Sequence, residues 1–286
     1  MNERSARDLA AVDTLIGLRD VVGTDRSLGH VADALKGDRH PADYMYHHIP
    51  DLAPAEADVV HDTLDAMDRN GVAVGLLSLT HPLSAAAAAT HPERFVLATQ
   101  VDPSDPVEAA RHIAHDHDRY GIRAVALFPP GGHPAVAVDD PSAYVVYSAC
   151  VERGLPVFVT AGVPGPRVPF ASQHVERFDR VCADFGELDI VLRHGAEPWD
   201  DLAVSLMRTW PNLHYSTSAF APRYYPPSVI EFANNGGGDQ VLYGGYFPYA
   251  LELDRIFDEL DAVPLRDDVW PRFLRDNARR LLGLDD

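Results

Sequence analysis

A chain of 286 residues, 46% of them hydrophobic, is long enough to bury a full core and fits one large domain. Its formal net charge of −19 opposes binding to phosphate backbones and anionic membrane surfaces, and no basic run offsets it. We therefore expect a small-molecule partner, with no nucleic acid and no membrane.

The segment 1–8 is charged and lacks the apolar stretch of a signal peptide, and runs such as 72–79 are too short to span a bilayer. These features predict a cytoplasmic protein. Cys150 and Cys182 fall in predicted helices and form no Cys-x-x-Cys pair, so we expect two buried free thiols.

Short apolar or β-branched runs recur along the chain and predict eight strands. They lie at residues 11–17, 72–80, 94–101, 123–128, 156–162, 189–194, 213–218 and 240–247. Apolar residues at helical spacing predict helices at 54–70, 106–119, 141–153, 173–185, 200–209, 228–234, 251–260 and 270–282.

Strands that alternate with helices indicate parallel pairing through right-handed crossovers. Eight such units predict an α/β fold that closes into a (β/α)8 TIM barrel, as a single domain over residues 1–286. The alternative is an open doubly wound sheet, which should carry a Gly-x-Gly-x-x-Gly turn after an early strand. No such turn stands between a predicted strand and a helix.

Two longer segments interrupt the alternation. Residues 20–54 contain the cluster Tyr44-Met45-Tyr46-His47-His48, which could form part of a lid or an oligomer contact. Residues 162–172 are a Gly/Pro-rich loop after the fifth strand. Long loops at strand C-termini build the substrate pocket of such barrels.

Active-site groups of barrels sit at the C-terminal ends of the strands. At the predicted ends, His194, Glu197 and Tyr246 carry side chains that can exchange protons or donate hydrogen bonds. The residues expected to line a pocket at the same ends are Leu15, Phe128, Thr160, His174 and Ser218.

Several short motifs resemble those of one family. They are His194-Gly195-x-x-Pro198-Trp199, Pro211-Asn212-Leu213, Ser216-Thr217-Ser218 and the run Asp276-Asn277-Ala278-Arg279-Arg280-Leu281-Leu282-Gly283-Leu284. Over nearly its whole length the chain resembles the amidohydrolase-related family, which includes aminocarboxymuconate-semialdehyde decarboxylase-like enzymes. The resemblance implies a TIM barrel, a hydrolase or carbon–carbon lyase reaction, and a homo-oligomer, specifically a dimer.

The resemblance also implies a divalent metal held by strand-end ligands, and here the sequence departs from the family. The histidines of the first-strand Asp-x-His-x-His motif correspond to Leu15 and Gly17, the fifth-strand histidine to Thr160, and the eighth-strand aspartate to Tyr246. Only His194 remains, whereas a catalytic metal needs about three protein ligands. We therefore expect no metal and no cofactor.

These observations favour an amidohydrolase-like small-molecule enzyme, of hydrolase or decarboxylase type, in which His194, Glu197 and Tyr246 act without a metal. His194 and Tyr246 are expected to face each other across one pocket. Alternatives remain for two of these residues: Glu197 could instead cap the following helix, and Tyr246 could merely fill the vacated metal space. Asp13 is expected to be a buried, hydrogen-bonded structural carboxylate, and Arg193 to form a structural ion pair.

Two other functions stay open from the sequence. The first is a catalytically inactive barrel that binds a small ligand or a partner, which the four replaced ligand positions favour. The second is a barrel with a relocated metal site, built from His194, Glu197 and a loop histidine.

Overall fold

A computed structural model of the chain describes residues 5–18, 44 and 58–284. Its eight strands follow one another in the sheet in chain order. They are Ala11–Asp13 (β1), Val72–Ser78 (β2), Phe95–Val101 (β3), Ala124–Leu127 (β4), Val157–Thr160 (β5), Ile190–Arg193 (β6), Leu213–Ser216 (β7) and Val241–Leu242 (β8).

Helices separate the strands. They are Val59–Arg69 (α1), Ser84–Thr90 (α2), Pro106–Tyr120 (α3), Pro141–Val151 (α4), Phe178–Asp184 (α5), Asp200–Thr209 (α6), Pro227–Phe232 (α7), Leu253–Leu260 (α8) and Asn277–Leu281 (α9). Neighbouring strands pair in parallel, as between β4 and β5 and between β5 and β6. Strands in sequential order with helices between them form the predicted (β/α)8 barrel.

Local signals place several helix ends where the sequence predicts them. Asp105 accepts a hydrogen bond from the Glu108 amide and Asp140 accepts one from the Ser142 amide, each just before a proline at the first helical position. Helix α3 ends at Gly121, whose φ of 62° is a left-handed conformation that glycine adopts without steric cost. None of the helices in the described ranges is long and apolar enough to cross a bilayer.

Other boundaries differ from the prediction. Helix α1 begins at Val59 because Asp58 caps it, and the predicted start at 54–57 lies outside the described residues. Helix α2, an alanine-rich segment with high helix propensity, was not expected. The predicted helix 173–185 is divided into two short 3₁₀ turns and α5, because His174 adopts an extended conformation between the turns.

The eighth predicted strand, 240–247, is shortened to two residues because the backbone beyond β8 bonds elsewhere. The Tyr243 amide donates to the Phe273 carbonyl and the Gly245 amide donates to the Asp13 carboxylate. The chain then returns to the first strand: Ile16 bridges Phe247 in parallel, and the Gly17 amide donates to the Phe247 carbonyl at 2.7 Å. These bonds join the region after β8 to the region after β1.

Side-chain packing divides the chain into two compact units. Within the described residues, the first contains 5–18, 58–97 and 215–284, and its core includes Met67, Phe257 and Phe273. The second contains residue 44 and 98–214, and its core includes Tyr147 and Phe178.

Both cysteines belong to the core of the second unit. Cys150 in α4 and Cys182 in α5 are buried free thiols, as the sequence predicts. Burial raises the pKa of each to about 12, so neither is a thiolate near neutral pH.

Candidate active site

In the first unit, the end of β1 carries a buried carboxylate. Asp13 Oδ1 accepts hydrogen bonds from the Leu15 amide at 2.9 Å and the Gly245 amide at 2.8 Å, and Oδ2 receives the Tyr243 hydroxyl at 3.4 Å. The side chain is fully buried, which confirms the prediction of a buried, hydrogen-bonded carboxylate. We call Asp13, Tyr243 and Gly245 the Asp13 cluster.

Burial controls the titration of this cluster. Loss of hydration raises the pKa of Asp13 from its ordinary 3.8 to about 7, although the bonds from Gly245, Leu15 and Tyr243 lower it in part. Burial also raises the pKa of Tyr243 well above its ordinary value, and the nearby Asp13 charge adds to that shift. A carboxyl group that titrates near neutral pH therefore lies at the end of β1.

Tyr246 follows the Asp13 cluster with a φ of 75°, a left-handed conformation that is uncommon for a residue with a side chain. Its amide donates to the Leu15 carbonyl at 2.9 Å, and its carbonyl accepts from the Tyr249 amide at 3.0 Å. The half-buried Tyr246 ring lies 5.2 Å from the Tyr249 ring. The backbone thus holds this phenol at the junction of β8 and β1.

Leu15 and Gly17 stand where the family resemblance implies histidines. Neighbouring side chains pack against both positions. Leu15 is an apolar, buried side chain. A Cβ atom added at Gly17 would lie 2.7 Å from the Tyr249 hydroxyl oxygen and 3.1 Å from Pro248 Cδ. The space for a side chain at position 17 is therefore occupied by Tyr249.

Ser218 lies two residues beyond β7 and is fully buried, so in the described structure it is part of a packed polar layer. The Ser216 hydroxyl donates to Ser218 Oγ at 3.4 Å, and the Thr14 hydroxyl donates to the Tyr243 carbonyl at 2.7 Å. Gly244 lies directly against this layer, because an added Cβ would stand 2.8 Å from Ser216 Oγ.

In the second unit, His194 follows β6 directly. It has a φ of 67° and the next residue, Gly195, a φ of 71°. Two successive left-handed residues turn the chain sharply at the strand end, and His194 remains partly exposed. The turn rests on the β5 loop: the Val163 amide donates to the Glu197 carbonyl at 2.8 Å, and a Cβ at Gly162 would lie 2.5 Å from that oxygen.

Glu197 is exposed, and its carboxylate is not the cap of the following helix. Helix α6 begins at Asp200 with Trp199 at the capping position and no side-chain cap bond. The alternative in which Glu197 caps this helix is therefore wrong, because Trp199 holds the capping position and no side chain forms a cap bond. Its carboxylate stands two residues beyond the His194–Gly195 turn.

Thr160, the last residue of β5, is held by a buried glutamine that the sequence did not single out. The Thr160 hydroxyl donates to Gln173 Oε1 at 2.8 Å, and Gln173 Nε2 donates to the Gly162 carbonyl at 2.9 Å. Both side chains are buried, so this pair fixes the β5 end and its loop.

Three aromatic side chains gather on the loops that follow β5 and β6. The His174 ring lies 4.2 Å from the Trp199 ring, and the Phe170 ring lies 5.2 Å from Trp199. Phe170 is 41% exposed, and His174 Nδ1 accepts from the Glu176 amide. We call Phe170, His174 and Trp199 the aromatic cluster.

Three further side chains of the second unit are Arg167, Tyr44 and Phe128. The Arg167 guanidinium stands 4.2 Å from the centroid of the Tyr44 ring, and both residues are exposed. Phe128 follows β4 directly and is partly buried. The remaining members of the cluster 44–48 and most of the segment 20–54 lie outside the described residues.

The residues at the positions implied for a metal do not fit a divalent ion. The Leu15 and Gly17 side chains offer no donor atom, the Thr160 hydroxyl is already used by Gln173, and Tyr246 offers a phenol in place of a carboxylate. In residues 5–18, 44 and 58–284 no three His, Cys, Asp or Glu side chains converge as a metal site, so no relocated site is found in that part of the chain.

Sequence reasoning missed Gln173, Tyr243 and the aromatic partners Phe170 and Trp199. The position of Gln173 after the fifth strand was only a weak indication of a role at the strand end. Its hydrogen bond with Thr160 forms only in the folded chain, so the sequence could not predict it. Trp199 was quoted as part of a motif, and its packing against His174 could not be read from spacing. The expectation that Arg193 forms a structural ion pair stays a prediction.

The comparisons with known proteins agree with this architecture. The amidohydrolase family profile matches residues 32–284. The chain is similar to an uncharacterized TIM-barrel protein, Bb4693, from Bordetella bronchiseptica, with a TM-score of 0.77, 22% identity, and coverage of 96% of this chain and 98% of that one. No curated protein matches the sequence significantly.

Two further solved structures are similar to the chain. The 5-carboxyvanillate decarboxylase LigW from Sphingomonas paucimobilis has a TM-score of 0.68 and 19% identity, with coverage of 96% of this chain and 99% of that one. A probable 2-pyrone-4,6-dicarboxylic acid hydrolase from Acinetobacter baumannii has a TM-score of 0.61 and 15% identity, with coverage of 96% and 99%. At these identities the likeness shows the fold.

The eight-stranded parallel sheet and its polar strand ends define a (β/α)8 TIM-barrel protein. More particularly, the family profile covers most of its length, and the chain belongs to the amidohydrolase family.

Proposed function

We propose that this amidohydrolase-family chain is a small-molecule enzyme, of hydrolase or carboxy-lyase type, that works by side-chain acid–base chemistry without the family's usual divalent metal. His194, Glu197 and Tyr246 are the acid–base groups. The two solved relatives named above, a decarboxylase and a probable hydrolase, support these two reaction types.

The observation that carries the proposal is the backbone of His194 and Tyr246. Both have a left-handed φ: 67° for His194, directly beyond β6, and 75° for Tyr246, in the segment that follows β8. Such a conformation costs about 1–3 kcal/mol for a residue with a side chain, and such residues cluster at active sites. Both side chains remain partly exposed, as a group that meets a substrate must be.

The chemistry that these groups can supply is proton transfer and hydrogen bonding. In a hydrolysis, an imidazole or carboxylate takes a proton from water while the oxygen adds to a carbonyl carbon, and a phenol stabilises the oxyanion. In a decarboxylation, an acid delivers a proton to the carbon that carries the carboxylate, the electron pair of the broken C–C bond stays on that carbon, and CO2 leaves.

The aromatic cluster and Arg167 support a planar, anionic substrate. Aromatic rings 4.2–5.2 Å apart offer faces for stacking, and an exposed guanidinium on the preceding loop offers a partner for a carboxylate. In a chain with a net charge of −19, such a local cation is needed to attract an acid. Phe128, which is partly buried directly after β4, is proposed as a lining residue. Leu15, Thr160 and Ser218, which the sequence also predicts as lining residues, are buried, and their proposed part is to support the strand ends.

The alternative is a barrel that binds a ligand without turning it over. The packing of Tyr249 over Gly17 and the buried Thr160–Gln173 pair favour it, because both occupy positions that resemblance assigns to chemistry.

One experiment separates the two. The protein is treated with a chelator, its metal content is measured by elemental analysis, and it is incubated with 5-carboxyvanillate, 2,6-dihydroxybenzoate and 2-pyrone-4,6-dicarboxylate. Conversion of one of these acids by the chelated protein, followed by the change in its ultraviolet spectrum and by product analysis, and abolished in His194→Ala, supports the enzyme. Saturable binding of these acids without turnover supports the alternative, and turnover only after addition of Mn²⁺ or Zn²⁺ contradicts the metal-free proposal.

A further inference from the structure

We propose that Asp13 is the positioning residue for Tyr246: its buried carboxylate fixes the junction between β8 and β1 from which the Tyr246 phenol projects. The inference rests on the proposed function, in which Tyr246 donates a proton or a hydrogen bond.

A single oxygen atom connects the two ends of this junction. Asp13 Oδ1 accepts from Leu15, two residues along its own strand, and from Gly245, which lies far away in the sequence. The Leu15 carbonyl then accepts from the Tyr246 amide at 2.9 Å. Asp13, Leu15, Tyr246 and Gly245 therefore form a closed ring of hydrogen bonds and covalent links around the tyrosine backbone.

The ring is tightly packed at Gly245. An added Cβ at this position would stand 2.3 Å from Asp13 Oδ2 and 2.7 Å from the Tyr243 hydroxyl oxygen, closer than non-bonded atoms approach. Glycine is thus required here because the carboxylate lies directly against the backbone. The contact leaves the segment before Tyr246 little freedom to shift.

The chemistry of Asp13 points to positioning rather than to substrate contact. The side chain is fully buried, and its partners within the described residues are two amides and one phenol, with no cation among them. A buried carboxyl group without a counter-charge is costly, and an apolar side chain would fill the space at lower cost. What the carboxylate supplies is one oxygen, Oδ1, that accepts from both backbone amides of the segment that holds Tyr246 in its left-handed conformation.

Two substitutions separate geometry from charge. Asp13→Asn keeps an acceptor oxygen for the Leu15 and Gly245 amides and places its amide group toward the Tyr243 oxygen. Asp13→Ala removes both acceptors. Tyr243→Phe is the matched control, because it removes only the long 3.4 Å bond and leaves both backbone bonds intact.

The first measurement is hydrogen–deuterium exchange of the peptides that cover residues 11–17 and 243–249. We expect Asp13→Ala to accelerate exchange in both peptides by roughly tenfold or more, and we expect Asp13→Asn and Tyr243→Phe to accelerate it by no more than about threefold. Unchanged exchange in Asp13→Ala, or equal acceleration in Asp13→Asn, overturns the inference. If Asp13→Ala does not fold, Gly245→Ala replaces it, since its methyl group displaces the carboxylate.

The second measurement is steady-state turnover of the acid that the chelated protein consumes. We expect Asp13→Ala to lower kcat about as much as Tyr246→Phe does, roughly 10²-fold, with KM changed less than about threefold, and Asp13→Asn to restore kcat. A full kcat in Asp13→Ala contradicts the inference. Full activity of Tyr246→Phe overturns the role of Tyr246 in the proposed function, and the exchange rates then decide the Asp13 claim by themselves.

Discussion

The strand ends of the two compact units differ in how their polar groups are used. In the first unit the Asp13 cluster is fully buried. The Asp13 carboxylate accepts hydrogen bonds from two backbone amides and from the Tyr243 hydroxyl. In the second unit the Thr160–Gln173 pair is also buried. His194 is partly exposed and Glu197 is exposed, and the loops after β5 and β6 carry the aromatic cluster.

The difference indicates that the polar groups at the strand ends have two roles, one structural and one in ligand contact. Buried polar groups that bond to backbone fix the positions of loops, whereas partly exposed titratable and aromatic groups can meet a ligand. On this account, removing a buried group changes stability or local order, and changes turnover only through the segment that the group holds in place. Removing an exposed group changes turnover or affinity while stability is preserved.

The largest expected effect concerns the charge of Asp13. Its pKa is about 7 in the folded protein against an ordinary 3.8, so between these values the unfolded chain binds fewer protons and native stability falls as pH rises from about 4 to 7. Asn does not titrate. The difference in unfolding free energy between Asp13→Asn and the native protein should therefore grow over this window, by up to about 4 kcal/mol.

Denaturant unfolding at a series of pH values measures this difference. The exposed carboxylates contribute equally to the pH dependence of unfolding in both proteins, so their contribution cancels in the difference. A difference that stays constant from pH 4 to pH 8 would show that the Asp13 carboxyl is already ionised at pH 4.

The second effect concerns catalysis at the exposed end of β6. His194→Ala should lower turnover by about 10²–10³-fold, the usual cost of losing an acid–base or charge-stabilising group, with the melting temperature nearly unchanged. His117→Ala is the control, since that histidine lies on the surface of α3 with 39% of its side chain exposed. Equal activity in both variants would remove His194 from the mechanism.

The third effect concerns the buried pair of the second unit. Gln173→Leu removes the bonds to both Thr160 and the Gly162 carbonyl and leaves those groups without their glutamine partner. We expect a loss of about 1–3 kcal/mol of unfolding free energy, because buried unsatisfied polar groups are costly. Thermal or denaturant unfolding checks this, with Thr160→Val as the milder companion. A variant as stable as the native protein would mean that the pair does not fix the β5 loop.

The smallest effect concerns the aromatic cluster. Trp199→Ala removes the ring that packs against His174 and Phe170. We expect KM to rise roughly tenfold while kcat changes little, as for lost ground-state binding. Tyr120→Leu, at the exposed end of α3, is the control. A fall in kcat with unchanged KM would instead assign Trp199 to positioning of the His194 turn.

Local signals allowed much of the fold to be predicted, since strands, caps and prolines are encoded by neighbouring residues. The Asp105–Pro106 and Asp140–Pro141 helix starts and the order of eight strands are examples. The short β8 could not be predicted, because it ends where Tyr243 and Gly245 bond to Phe273 and Asp13, partners distant in the sequence.

The candidate site was predictable only in part, for the same reason. Position beyond a strand end identified His194 and Tyr246, and burial of Asp13 followed from strand alternation. The partnership of Thr160 with Gln173 and of His174 with Trp199 depends on side chains that meet only after the loops fold.

The most direct test of the central claim is the turnover rate of the protein after chelation, measured together with its metal content, on the planar acids named above. The account predicts turnover with less than about 0.1 metal ion per chain, and its loss in His194→Ala with the fold retained. Turnover that appears only when a divalent metal is restored, in proportion to the metal bound, would contradict it.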